Sequence, residues 1–87
     1  MIREIKWSTH ASSRLRQRGL DKAEIEATIR SDHFFRESNT GAADWRVTLV
    51  RADGRRFAVL YDNPVDGDEA IAKVVTFFRE RYLRPPP

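Results

Sequence analysis

The spacing of hydrophobic and polar positions changes period twice along the chain. Ile2 to Trp7 alternates, with Ile2, Glu4 and Lys6 on one side and Arg3, Ile5 and Trp7 on the other, which predicts a short strand. Ser8 or Thr9 then suits an N-cap, because a hydroxyl there accepts a hydrogen bond from a free helical N–H. The helix it opens runs through about Arg18 and stops at Gly19, the residue most tolerant of a left-handed C′ conformation. Ala11 and Leu15 form its thin apolar stripe. A second helix begins at Leu20-Asp21-Lys22-Ala23-Glu24, with Asp21 as cap, Glu24 at the capping-box position and Leu20 as the hydrophobic staple. Ile25 and Ile29 give this helix a buried face up to about Ser31.

From His33 the period becomes two. His33 to Ser38 predicts a strand, with a loop following at Asn39-Thr40-Gly41. Trp45, Val47 and Leu49 alternate with Arg46, Thr48 and Val50, so Arg46 and Thr48 should face away from whatever buries the tryptophan. Asp53-Gly54 is a hairpin signal, since both positions tolerate positive φ. Phe57, Val59 and Tyr61 then alternate with Ala58 and Leu60. Asn63-Pro64-Val65-Asp66-Gly67-Asp68 is a second turn region, and Ile71 to Phe78 is the most apolar strand. The expected order is β-α-α-β-β-β-β: an α+β fold with two N-terminal helices packed on one face of a mainly antiparallel sheet. Residues 1–84 read as one domain and Pro85-Pro86-Pro87 as a tail. Trp7, Phe34, Phe35, Phe57, Phe77 and Phe78 are assigned to the core rather than to base stacking.

Composition narrows the class. A chain of 87 residues suits one small domain of modest stability. It has no cysteine, which excludes a disulfide framework, a thiolate zinc site and a cysteine nucleophile. No apolar run approaches a membrane span, and Met1-Ile2-Arg3-Glu4 is unlike a secretion signal, so a cytoplasmic location without membrane contact is expected. The net charge is +3 and the pI about 9.8, but the distribution says more. Residues 1–20 hold Arg3, Lys6, Arg14, Arg16 and Arg18 against Glu4 alone; residues 79–87 hold Arg79, Arg81 and Arg84 against Glu80. If the two ends meet, they make one basic surface suited to a polyanion, usually nucleic acid. All but three of the 16 basic residues are arginine, the side chain shaped to grip phosphate with paired hydrogen bonds.

His10, Arg14 and Arg18 follow one another at i, i+4 and i+8 and therefore project from one side of the first helix. Three cationic or cationisable groups repel at that spacing, and an anion between them removes the penalty. A solvated basic face with a histidine in its first turn is the plainer reading. Helix N-termini disfavour cations, and a neutral imidazole is what a general base needs. His33, at the exit of the second helix, reads as a surface residue. With no carboxylate at ligand spacing to either histidine, neither a metal site nor a cofactor is expected. Thr76 interrupts Val74-Val75-Thr76-Phe77-Phe78; it is either an ordinary strand threonine or a hydroxyl able to hold a phosphate oxygen. Arg79 and Tyr82 follow at three-residue intervals.

The run His10-Ala11-x-x-Arg14-x-x-x-Arg18-Gly19-Leu20, the acidic helix from Asp21 to Ile29 and the closing Lys73-Val74-Val75-Thr76-Phe77 strand resemble a family of small bacterial domains. That family looks like a relative of the RelE and BrnT toxins, in the wider barnase–colicin–RelE ribonuclease fold. The resemblance spans about Ile5 to Arg79. It implies a metal-independent endoribonuclease that arrests growth and is silenced by a cognate protein antitoxin. His10 matches the motif histidine, Arg14 and Arg18 the motif arginines, and Thr76 the polar residue of the last strand. Arg79 and Tyr82 are similar to the arginine and tyrosine near the RelE C-terminus, with looser spacing. RelE-type enzymes lean on lysine, arginine and tyrosine, so the helix histidine is a departure that leaves the base and ribosome dependence open.

In the reaction this implies, His10 takes the proton from an RNA 2′-hydroxyl, which attacks the adjacent phosphate and releases a 5′-hydroxyl fragment. Arg14, Arg18 and Arg79 stabilise the growing charge on the phosphate oxygens, Thr76 orients one of them, and Tyr82 serves as acid or stacking partner. The alternative is a module that binds RNA or a partner through the same basic face without catalysis. A third possibility is a protein-binding hairpin around Trp45.

Overall fold

Ser8 and Gly19 set the limits of the first helix. In the computed structural model, which describes residues 1–80, β1 (Glu4–Trp7) leads into α1 (Thr9–Arg18). The Ser8 hydroxyl accepts from the Ala11 N–H, and Gly19 takes φ 66°, a left-handed cap in which its N–H reaches the Leu15 carbonyl. The second helix, α2 (Lys22–Asp32), starts on the expected capping box, with Asp21 and Glu24 satisfying each other's backbone donors.

Beyond α2 the chain departs from expectation. His33–Phe35 is a turn of 3₁₀ helix, and only Glu37–Ser38 forms a strand, β2. His33 and Arg36, three positions apart, both bond toward the sheet, which the alternation of a strand would not allow and the turn does. The remaining strands are β3 (Trp45–Val50), β4 (Arg56–Asp62) and β5 (Ile71–Arg79). They form one sheet in the order β1-β5-β4-β3-β2, antiparallel except for the β1–β5 pair. The fold is thus α+β with both helices after the first strand.

The core lies between the helices and one sheet face. Trp45, Tyr61 and Val74 stand in one cross-strand row, and Val47, Val59 and Phe77 in the next. Ala11, Leu20, Ile25 and Ile29 close over them from the helices. Arg46 and Thr48 alternate with the residues that enter the core, as expected. Truncating a fully buried side chain such as Ile25 costs about 2–5 kcal/mol, the price of lost burial plus a cavity. Val74 and Phe77 both reach the core although three positions apart, because β5 carries one extra residue: Leu60 pairs with Thr76 and Tyr61 with Val74, leaving Val75 as a bulge.

Two further expectations are corrected. Phe57 and Phe77 are buried and Trp7 packs at the core margin, but Phe34, Phe35 and Phe78 are exposed. The paired positive φ angles expected of Asp53-Gly54 occur instead at Asp66-Gly67, between reciprocal Val65 and Asp68 bonds; at the first hairpin Gly54 alone has positive φ. There the Gly54 N–H bonds the Arg51 carbonyl and the Arg51 N–H the Arg55 carbonyl, so a three-residue loop replaces a tighter turn. No helix among the described residues is long and apolar enough to cross a membrane.

Candidate active site on the α1–β5 seam

Strand β1 pairs with β5 only as far as Val74, so residues 75–79 of β5 would leave an open sheet edge. Helix α1 lies along it. The Ser8 hydroxyl donates to the Val75 carbonyl at 2.8 Å while capping the helix, and Arg14 Nε donates to the Phe77 carbonyl at 3.1 Å. Between them His10 Nε2 lies 3.1 Å from Thr76 Oγ1. Three consecutive β5 residues therefore meet Ser8, His10 and Arg14 in order, and side chains of α1 cover an edge that would otherwise invite another strand.

The order of these contacts shows that helix and strand run the same way. From His10, Arg18 lies about 12 Å up the helix at 1.5 Å per residue. Arg79 lies about 10 Å up the strand from Thr76 at 3.3 Å per residue. Both exposed arginines are thus carried toward the same end of the seam. Both N-terminal elements, β1 and α1, flank β5, the last described strand. The structure joins His10 to Thr76 directly, anchors Arg14 on the next β5 residue through the Phe77 carbonyl, and sets Arg18 and Arg79 further along. Tyr82, together with Arg81, Arg84 and the prolyl tail, lies outside the described residues.

The seam offers a ring nitrogen, a hydroxyl and guanidinium groups around an exposed histidine. Arg14 has its Nε committed to a backbone carbonyl; its two terminal nitrogens have geometry left for an anion. Thr76 occupies its position because of the Val75 bulge, a feature with no signature in the sequence. Among the described residues, no group of three or more His, Asp or Glu side chains gathers where it could hold a metal ion.

The second histidine is not a simple surface residue. His33 Nδ1 lies 2.9 Å from the hydroxyl of the fully buried Tyr61, and Arg36 Nη1 sits 3.0 Å from Nε2. The Arg36 guanidinium also stacks 3.6 Å from the Trp45 ring centroid and donates to Asn63 Oδ1 at 3.0 Å. Burial and the adjacent Arg36 charge hold the His33 pKa below its usual 6.5, and burial raises that of Tyr61. With both ring nitrogens engaged, His33 fastens the end of α2 to the sheet. Sequence reasoning missed this cluster because Arg36 and Asn63 are ordinary polar residues in a loop-rich stretch; the only signal was Trp45, whose Nε1–H needs an acceptor and finds the Asn63 carbonyl at 2.9 Å.

On the sheet face away from the helices, Glu80 pairs with both Arg46 and Arg56. Ala58 and Leu60, which alternate with the core residues of β4, are buried as well.

A family model described as a domain of unknown function, DUF4258, matches residues 7–79. The chain belongs to that family. No curated protein and no solved structure matches it. The matched span runs from the last residue of β1 to the last residue of β5, so it takes in every residue of the seam from Ser8 to Arg79.

Proposed function

We propose that the protein is an endoribonuclease of the RelE/BrnT kind, acting without a metal and held silent by a cognate protein antitoxin. The observation that carries this reading is the meeting of His10 Nε2 with Thr76 Oγ1 beside Arg14. It is supported by the resemblance of the helix motif and by the concentration of arginine along α1 and the end of β5.

In the free protein Thr76 Oγ1 lies against His10 Nε2, occupying the nitrogen a base would use. An RNA 2′-hydroxyl takes that place, gives its proton to His10, and attacks the neighbouring phosphorus. The P–O5′ bond breaks, leaving a 2′,3′-cyclic phosphate on one fragment and a 5′-hydroxyl, protonated from solvent, on the other. Displaced from the ring, the Thr76 hydroxyl turns to a non-bridging oxygen. The free nitrogens of Arg14, with Arg18 and Arg79 along the seam, balance charge on the phosphorane. A cytoplasmic RNA is the substrate this reading requires.

One observation favours a second reading. Ser8, His10 and Arg14 all bond to β5, so the motif also serves to fasten a helix over a strand edge. A protein using it only in that way would bind RNA or a partner on the arginine face without turnover.

Expression of the wild-type chain and of His10→Ala in an inducible host separates the two. Growth arrest and fragmented RNA with the wild type, absent with the variant at equal soluble yield, are expected of the nuclease. Normal growth and intact RNA with well-folded wild-type protein would leave the binding module.

A further inference from the structure

Phe34 and Phe35 are 87% and 83% exposed, side by side on the 3₁₀ turn that follows α2. The backbone that carries them is held, because the residues on either side are anchored. His33, before them, is bonded to the buried Tyr61 hydroxyl; Arg36, after them, is stacked on Trp45 and bonded to Asn63. Turning the two rings inward would require breaking one of these anchors. An aromatic pair held outward in this way carries a standing exposure cost and little ordering cost on binding, the usual properties of a recognition hot spot.

A groove of about 460 Å³ lies beside the pair, lined by Met1, Ile2, Arg3, Arg30, His33 and Phe34. Its walls are mostly apolar and its charged members are both arginine. Arg30 is held in position by Glu26 at 3.6 Å and by the Arg3 carbonyl at 3.4 Å. We infer that the Phe34–Phe35 turn and this groove form a docking site for an acidic protein segment, one that sets an apolar side chain against Phe34 and carboxylates against Arg3 and Arg30.

Charge decides among the occupants. A nucleic acid would bring a continuous run of phosphates past Glu26, Asp32 and Glu37, which flank the turn and outnumber Arg30 and Arg36 in that stretch. Separate carboxylates avoid this repulsion while meeting the two groove arginines. A second copy of the chain in a two-fold contact would press Arg3 and Arg30 against their own equivalents. The inference does not rest on cleavage at the α1–β5 seam, because its residues belong to β1, the end of α2 and the turn.

The test selects a phage-displayed random peptide library on the full, untagged chain, then measures the enriched peptides by fluorescence anisotropy. Enriched sequences are expected to set aspartate or glutamate next to leucine, phenylalanine or tryptophan. Phe34→Ser should weaken their binding about 10- to 30-fold, as for a hot-spot residue. The double variant Arg3→Glu/Arg30→Glu should weaken it by about tenfold, while Lys73→Glu leaves it unchanged. Circular dichroism checks each fold, which an exposed position such as Phe34 should not disturb. Failure to enrich any peptide, enrichment without carboxylates, or affinity indifferent to Phe34→Ser would each overturn the inference. So would Phe34-dependent binding of a single-stranded oligoribonucleotide, or Phe34-dependent self-association in sedimentation, which would assign the patch to RNA or to a second copy.

Discussion

His10 and His33 carry the same ring into two different settings. His10 is exposed on α1, and its Nε2 meets a threonine hydroxyl that can rotate between donating and accepting. His33 is partly buried, with Nδ1 on the Tyr61 hydroxyl and the Arg36 guanidinium close to both ring nitrogens. The first has a partner that a substrate can displace. The second is enclosed by groups that all hold the fold, so a proton has nowhere useful to go. Availability of a lone pair therefore separates a candidate base from a structural pin better than residue type does.

Substitutions can break this contrast, starting with the largest effect. Removing the proposed base, His10→Ala, should lower cleavage of a single-stranded RNA by about 10²–10⁴, with stability changed by no more than about 0.5 kcal/mol in urea unfolding. Comparable activity in the variant would return His10 to the role of a strand clamp. Arg14→Lys keeps a charge but cannot both bond the Phe77 carbonyl and present a planar fork to phosphate; its cleavage rate should fall about 10²-fold. In contrast, His33→Ala should leave the chemistry intact and cost about 1–3 kcal/mol in the same unfolding assay, because the Tyr61 hydroxyl is left buried without its partner.

A smaller effect concerns pH. Burial and Arg36 favour neutral His33 in the folded protein, so below pH 6.5 the unfolded chain binds the proton more readily. Stability from this group is present above pH 6.5 and is lost as pH falls from there through the lowered folded value. Urea midpoints measured at steps between pH 7.5 and 5 should show this decline in the wild type and a shallower one in His33→Ala. Parallel curves would mean that His33 titrates alike in both states. The smallest effect is expected for the exposed pair Arg55–Asp53: Asp53→Asn should leave the urea midpoint almost unchanged.

Local rules made much of this legible. The caps at Ser8, Gly19 and Asp21 rest on short-range chemistry, and the two-residue alternation of β3 and β4 directly marks the buried face. The proximity of His10, Arg14 and Thr76 was readable only through resemblance, because it depends on α1 running along the part of β5 that β1 leaves unpaired. What was missed depends on distant partners. Phe34 and Phe35 read as core since hydrophobic residues usually are, yet the anchors at His33 and Arg36 turn them outward. Phe78 shares β5 with Phe77, and the strand's alternation puts one in the core and leaves the other exposed. The Val75 bulge, which sets the register of Thr76, arises from strand pairing and leaves no mark on residue types.

The central claim is that the α1–β5 seam breaks RNA with His10 as base. Its most direct test incubates purified wild-type, His10→Ala and His33→Ala proteins with a 5′-labelled single-stranded RNA in the presence of a chelator, and analyses the fragment ends. The expected result is cleavage by wild type and His33→Ala, with 2′,3′-cyclic phosphate ends, and none by His10→Ala. Equal cleavage by His10→Ala, or no cleavage by folded wild-type protein, would contradict the claim.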